Sequence, residues 1–236
     1  MIRHTTIALA SLLIMNASAM AQTKENTLTK AEQQQGWALL FDGATTKGWH
    51  NYNKTTIGPE WKAEDGALHL DASKKSGSDI VSTGEFENFD LKVQWKISKG
   101  GNSGIIFLVH ESPEYEASFL TGPEMQVLDN DLNEDAKNYK HRAGDLYDLM
   151  ASSSEPVRPV GQWNDAEIRV DHGKLDFWLN GVHTVSTTMW DANWDKLVKN
   201  SKFVHIPGFA KYHSGHVDLQ YHGFDVWFRN IKIRKL

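Results

Sequence analysis

The sequence contains no cysteine. The chain therefore forms no disulfide, uses no thiol nucleophile and offers no thiolate to a metal ion. The packing of side chains must provide its stability.

Clusters of basic residues are also lacking. The formal net charge is −5, and no run of Lys and Arg offers the surface that nucleic-acid phosphates require. A neutral or lightly charged small ligand fits this composition better. The chain is rich in tryptophan, with 9 residues, and exported domains that bind sugars often stack them on aromatic rings. Most tryptophans nevertheless belong to hydrophobic cores.

Long apolar runs are absent except near the N-terminus. Residues 1–21 combine a basic start, an apolar run from Ile7 to Met15 and small-residue cleavage patterns ending at Ala19 and Ala21. This arrangement is typical of a secretory signal peptide, and the run is too short to cross a bilayer. We expect an exported protein of the periplasm or the exterior. Residues 22–35 read as a flexible leader and residues 36–236 as one domain.

Short segments with strand periodicity fill that domain. Residues 89–97 alternate apolar and polar side chains, whereas residues 103–109 are almost continuously apolar, as in a central strand. Residues 144–149 read as another strand. Asn180-Gly181 is a strong signal for a two-residue hairpin turn, and residues 189–200 have the spacing of one short amphipathic helix. The pattern predicts an all-β sandwich of two antiparallel sheets.

The segment GPEMQVLDN, residues 122–130, carries candidate catalytic groups. On an extended strand Glu124 and Gln126 share one face, because successive side chains alternate. A β-bulge before Asp129 would turn its carboxyl to the same face, which would give an acid/base pair. A solvated polar strand face is the other interpretation of this spacing.

A second polar strand face lies near the C-terminus. Within residues 216–222 the polar side chains are His216, Asp218, Gln220 and His222, and they alternate with apolar residues. Arg229 follows on an otherwise apolar strand face, where a charge must be paired or must point into a ligand groove. The two polar faces are candidates for opposite walls of one groove.

Three kinds of chemistry compete for these residues. Conventional glycoside cleavage needs two carboxyl groups, for which Glu124 and Asp129 are the candidates. A zinc site would use His216, Asp218 and His222 with His110 or His141, and a calcium site would use the acidic loop of residues 129–135. The spacing of the histidines suits substrate contacts as readily as metal ligation, so a divalent metal is not required. A lectin without catalysis is the third alternative.

Several ordered motifs indicate a family. The domain contains, in sequence order, GWALLFDGATTKGW, NSGII, GPEMQVLDN, AGDLYDL, QWND, LNG and LQYHGFDVWFRNIKIRKL. This set resembles the 3-keto-disaccharide hydrolase family, also described as 3-keto-glucoside 1,2-lyase with 3-keto-2-hydroxy-glucal hydratase activity, from about Gly36 to Leu236. The resemblance implies a concanavalin A-like lectin/glucanase jelly roll, typical of exported proteins of Bacteroidota and related bacteria.

The resemblance also implies a reaction on 3-keto-glycosides, by elimination across C1–C2 and then hydration. Such a site needs a base near C2, donors for the enolate oxygen and an acid for the leaving group. Glu124 or Asp129 is the expected base, with donors from His222, His216 or Arg229. The expected substrate contacts are Gln126, Gln220, Asn102, His216, Asp218, Tyr147, His110 and His141. We expect a small glycoside or oligosaccharide as the partner, with no organic cofactor, nucleic acid or membrane span.

Overall fold

The computed structural model describes residues 24–74 and 77–236, so the predicted signal peptide lies outside the described residues. Two antiparallel sheets pack face to face as a jelly-roll sandwich. Their strands are β1 (Trp37–Leu39), β2 (Trp49–Asn51), β3 (Trp61–Glu64), β4 (Ala67–Leu70), β5 (Ile80–Ser82), β6 (Phe89–Ile97), β7 (Asn102–Val109), β8 (Glu124–Leu128), β9 (Asn164–Asp171), β10 (Lys174–Leu179), β11 (Val182–Thr188), β12 (His216–Leu219) and β13 (Val226–Lys235). The all-β fold class predicted from the sequence is confirmed.

The two sheets differ in size. The eight-stranded sheet has the order β11-β10-β9-β6-β13-β4-β3, with β1 also paired to β13. The five-stranded sheet has the order β2-β5-β12-β7-β8, so β7 is a central strand and β8 an edge strand. β7 is buried along most of its length, as its nearly continuous apolar sequence predicts.

The core lies between the two sheets. The alternating residues of β6, such as Leu91, Val93 and Trp95, are all at most 2% exposed and join one large cluster with Phe107 and Phe177. Burying side chains of this size contributes about 1.5–3 kcal/mol each, which explains how the domain folds without disulfides.

Local signals place the turns and the main helix correctly. Asn180 and Gly181 have φ values of 51° and 79°, as the type I′ turn between β10 and β11 requires. Helix α2 (Ala192–Lys199) begins after Asp191, whose carboxylate accepts hydrogen bonds from two backbone N–H groups of the first turn. The strand expected over residues 144–149 is replaced by turns, within which Leu146 forms isolated bridges to Met125 and Met150.

Residues 26–34 of the predicted leader pack against the eight-stranded sheet. Helix α1 (Lys30–Gln34) begins with a capping box between Thr29 and Glu32. Asn26 is 8% exposed and exchanges hydrogen bonds with Asn230 of β13, while Glu32 forms an ion pair with Lys232. Across residues 24–74 and 77–236, no helix has the length and apolar character to cross a membrane.

Candidate active site

Three neighbouring strands form the floor of the site. Asp218 of β12 and Glu124 of β8 both lie opposite Ile106 of β7, one on each side. One step along, Gln126 lies opposite Gly104, whose carbonyl accepts the backbone N–H of Gln220. Directly opposed residues point to the same face of a sheet, so the two predicted polar faces converge on one surface, with β7 between them.

A cavity of about 370 Å³ lies on this face, close to the lower end of the usual size range for ligand pockets. Its lining residues are Asn102, Phe119, Glu124, Gln126, Asp135, Tyr147, Lys202, Phe203, Gln220 and His222. Six of these were predicted from the sequence. Phe119, Asp135, Lys202 and Phe203 were missed, because they lie in single-turn 3-10 helices or in turns, which are too short to show a periodic pattern.

Gly104 makes room for the carboxyl group of Glu124. A Cβ atom at position 104 would lie 2.1 Å from Oε1 of Glu124, so the carboxyl occupies the space above the glycine. Glu124 is 5% exposed. Burial raises the pKa of Glu124 to about 8; Lys202 opposes this shift, and Asp79 and Asp135 add to it. At neutral pH this carboxyl is mostly protonated.

Two amide oxygens in the cavity wall lack partners. The side-chain oxygens of Gln220 and Asn102 are buried without a hydrogen bond from any described residue. Gln126 differs, since its side-chain oxygen accepts the N–H of Val127 at 3.0 Å. An unpaired buried acceptor is costly, and a ligand hydroxyl can satisfy it. The cavity therefore suits a polyhydroxylated ligand.

A hydrogen-bonded chain supports one wall of the cavity. The hydroxyl of Tyr147 donates to Asp135 at 3.1 Å, and the other carboxylate oxygen of Asp135 lies 2.7 Å from Nδ1 of His141. The second ring nitrogen of His141 lies 2.7 Å from Asp148. His141 therefore supports the wall but does not line the cavity. Burial and the charges of Asp135 and Glu124 raise the pKa of Tyr147, so its hydroxyl stays protonated.

Two nitrogen-containing side chains, Lys202 and His222, complete the site. The ammonium of Lys202 lies 4.0 Å from the centre of the Tyr147 ring, a cation–π contact that holds it at the cavity. His222 lies just beyond the end of β12 and also lines the cavity. Loss of hydration lowers the pKa of His222 more than Asp79 and Asp135 raise it. Its imidazole is therefore neutral at neutral pH.

Asp129 does not join Glu124. Strand β8 ends at Leu128, and the carboxylate of Asp129 accepts the N–H groups of Gly100 at 2.7 Å and Asp131 at 3.1 Å. The expected bulge is absent, and Asp129 caps a loop. The predicted pair of Glu124 and Asp129 is therefore not formed.

Arg229 lies on the other sheet. Its Nε donates to Gln94 at 2.9 Å, its guanidinium pairs with Glu25, and it covers the ring of Trp163 at 4.0 Å. The charge is thus fully engaged in structural contacts on the outer face of the eight-stranded sheet. It cannot donate to a ligand in the cavity beside Glu124.

Three further candidates also lie outside the cavity lining. A register shift after His216 separates it from the rest of β12, and its Nδ1 lies 2.7 Å from the carbonyl oxygen of Ser82. His110 stacks on Tyr212 with ring centres 3.9 Å apart. Asp218 shares the face of Glu124 but is fully buried, and burial together with Asp79 and Glu124 raises its pKa well above the usual value.

The described ranges contain no group of three or more His, Asp or Glu side chains arranged to hold a metal ion. Three of the candidate zinc ligands contact other groups instead of one another. His216 contacts the carbonyl of Ser82, His110 stacks on Tyr212, and His141 contacts Asp135. The acidic loop of residues 129–135 directs Asp129 to backbone N–H groups and Asp135 to Tyr147 and His141. Among the described residues, neither of the metal arrangements considered from the sequence is found.

Comparison with known proteins identifies the family. The profile of the 3-keto-alpha-glucoside-1,2-lyase-like domain matches residues 36–234. The chain belongs to this family. It is 33% identical over 228 residues to a protein of Bacteroides thetaiotaomicron named 3-keto-disaccharide hydrolase, covering 85% of this chain and 79% of that protein. The family expected from the ordered motifs is thus confirmed.

Solved structures agree with this family assignment. A glycosyl hydrolase candidate from Parabacteroides distasonis is 32% identical and superimposes with a TM-score of 0.82, covering 90% of this chain and 100% of that one. A Bacillus subtilis protein with a galectin-like fold is only 10% identical, with a TM-score of 0.50 over 90% of this chain and 95% of that one. The second likeness concerns the fold alone and supports the jelly-roll architecture of the 3-keto-alpha-glucoside-1,2-lyase-like domain.

Proposed function

We propose that this protein cleaves 3-keto-glycosides, by elimination across C1–C2 followed by hydration. The proposal rests on one observation: Glu124, His222 and Lys202 line the same cavity in a member of this family. The Bacteroides thetaiotaomicron relative that is 33% identical carries the name 3-keto-disaccharide hydrolase, which supports the same substrate class.

The chemistry follows from the carbonyl at sugar C3. This carbonyl acidifies the hydrogen on C2, so a base can remove it while the electrons form an enolate. Collapse of the enolate breaks the bond between C1 and the aglycone oxygen and leaves a C1=C2 double bond beside the ketone. The departing oxygen takes up the proton that the base removed from C2, so the aglycone leaves as an alcohol. Water then adds to C1, and a proton returns to C2. The sum of these steps is hydrolysis of the glycosidic bond.

The direction of each pKa shift assigns the roles. His222 is neutral at neutral pH and acts as the base that removes the C2 proton. Glu124 is mostly protonated, so it donates a hydrogen bond to the developing enolate oxygen instead of removing a proton. Lys202 adds a positive charge near the same oxygen. These roles exchange those expected for Glu124 and His222 from the sequence.

The remaining lining residues bind the sugar. The unpaired oxygens of Gln220 and Asn102 accept sugar hydroxyls, and Gln126 lies beside them on the floor. Phe119 and Phe203 also line the cavity and provide an apolar surface, suited to the C–H face of a sugar ring. Polar and aromatic contacts together would orient C2 toward His222.

Conventional glycoside hydrolysis is the second candidate, because the cavity contains a second carboxyl group. Asp135 lines the cavity with Glu124, and a pair of carboxyl groups is what that reaction needs. Asp135 is, however, held by Tyr147 and His141, which leaves less of it available to activate water.

The deciding experiment compares a 3-keto-glucoside with its unoxidised parent, using the purified protein and its Glu124→Gln and His222→Ala variants. We expect turnover of the 3-keto-glucoside alone, with slower turnover when C2 carries deuterium. Turnover of the parent at a similar rate, without an isotope effect, would establish conventional hydrolysis. Binding of either compound without turnover would show that the protein is a lectin without catalytic activity.

We also propose that the protein acts after export, because residues 1–21 have the features of a secretory signal. Fractionation of bacterial cells that express the full chain tests this proposal. Retention of the uncleaved chain in the cytoplasm would contradict it.

A further inference from the structure

A second cavity, of about 560 Å³, lies on the outer face of the eight-stranded sheet. Its volume falls within the range of about 300–1,000 Å³ that is usual for ligand sites. The site around Glu124 belongs to the five-stranded sheet, so the core of the sandwich separates the two cavities. The second cavity therefore needs an explanation of its own.

Four lining residues form a straight row across four adjacent strands. Trp178 of β10 lies opposite Glu167 of β9, Glu167 lies opposite Lys92 of β6, and Lys92 lies opposite Lys232 of β13. Directly opposed residues share a face, and neighbouring strands lie about 4.8 Å apart. The row is therefore roughly 14 Å long from Trp178 to Lys232. We call these four residues the outer row.

The charges of this cavity are balanced. Lys92 lies 3.3 Å from Glu167, Lys232 pairs with Glu32, and Arg158 lies 3.1 Å from Asp165. The surface therefore offers many hydrogen-bond donors and acceptors with little net charge. Such a surface suits a neutral polyhydroxylated ligand, since a phosphate polymer would require an excess of positive charge.

Trp178 differs from the other tryptophans on this face. Arg229 covers the ring of Trp163 at 4.0 Å, and Lys96 covers that of Trp227 at 4.4 Å. Over the residues that the structure describes, no cation covers Trp178, which is half-buried and contacts His183 with ring centres 4.8 Å apart. Its indole lines the cavity at one end of the outer row. An aromatic ring beside hydrogen-bonding groups matches a sugar, which has an apolar C–H face and a polar rim.

We propose that the outer row is a second carbohydrate-binding surface, which holds a neutral glycan chain on the side of the domain opposite the catalytic cavity. Trp178 stacks on one sugar ring, and the paired charges of Glu167, Lys92 and Lys232 bind hydroxyl groups along the chain. This proposal does not depend on the reaction proposed for Glu124.

Affinity electrophoresis tests the proposal. The purified protein is run through native gels that contain a soluble neutral β-1,4-, β-1,3- or α-1,4-glucan, or polygalacturonate as an acidic control. We expect at least one neutral glucan to retard the protein. Trp178→Ala should weaken this retention about tenfold or more, as for other aromatic anchors, and Trp178→Phe should retain part of it. Turnover of a small 3-keto-glucoside and the melting temperature serve as controls for folding.

Matched variants separate the two surfaces. The Glu124→Gln variant should still be retarded by the glucan, while the Trp178→Ala variant should keep its activity on the small substrate. Loss of retention in Glu124→Gln but not in Trp178→Ala would place the binding in the catalytic cavity and overturn the proposal. Retention by polygalacturonate alone, retention by none of the glucans, or a dimer that Trp178→Ala dissociates would overturn it as well.

Discussion

The substitution Gly104→Ala tests how the carboxyl of Glu124 is positioned. A Cβ atom at position 104 would lie 2.1 Å from Oε1 of Glu124, whereas ordinary van der Waals contact begins at 3.4 Å. The carboxyl must therefore move by about 1.3 Å. Gly104 has no left-handed φ value, and the obstructing atoms, Oε1, Cδ and Cγ of Glu124, all belong to one flexible side chain. The side chain of Glu124 should thus give way while the backbone of β7 stays in place.

This displacement predicts separate effects on activity and stability. A misplacement of about 1 Å can lower the rate about 10²-fold, so kcat on a 3-keto-glucoside should fall by roughly that factor. Alanine is about 0.5–1 kcal/mol better than glycine within a strand. The melting temperature should therefore change by only a few degrees. Steady-state kinetics and thermal unfolding measure the two effects independently.

Gly84→Ala is the matched control. Gly84 also lies outside the left-handed region, and a Cβ there first meets the ring of Phe86 at 3.2 Å, away from the cavity lining. This variant should retain full activity. Unchanged kcat in Gly104→Ala would refute the argument that Glu124 must occupy its present position. A large fall in melting temperature would refute the argument that the side chain of Glu124 moves while the backbone of β7 stays in place.

Three further predictions concern ionisable groups. The profile of kcat/KM against pH should have an acid limb below pH 6.5, where His222 becomes protonated, and an alkaline limb near pH 8, where Glu124 loses its proton. Glu124→Gln should remove the alkaline limb, and a rate that keeps rising above pH 8 would show that Glu124 acts as a carboxylate base. Lys202→Met should lower kcat about 10²–10³-fold and shift the alkaline limb to higher pH, because Lys202 lowers the pKa of Glu124. An unshifted limb in a pH titration of this variant would contradict the assignment. Asp129→Asn should lower the free energy of unfolding, measured by urea titration, by about 1–2 kcal/mol and leave kcat unchanged. The reason is that one carboxylate oxygen, which accepts the N–H of Gly100 or of Asp131, becomes an amide nitrogen. A catalytic role for Asp129 would instead appear as a loss of kcat without a loss of stability.

The candidate site was predictable where it lies on regular strands. The two-residue period of a strand placed Glu124 and Gln126 on one face, and Asp218 and Gln220 on another, and the structure joins these faces across Gly104. The same rule failed at His216, because a register shift interrupts β12. It also failed at Asp129, because a predicted bulge depends on tertiary contacts that no short pattern specifies.

The amino-acid sequence by itself determined the fold class, the family and the membership of most of the cavity floor, because strand alternation and turn residues are local properties. Only the tertiary structure decided that Asp135 and Lys202 line the cavity, and which protonation states Glu124 and His222 have there. A pKa shift depends on burial and on charges distant in the chain, such as Asp79 and Lys202 near Glu124. The assignment of acid and base could therefore be inferred only after the chain was folded.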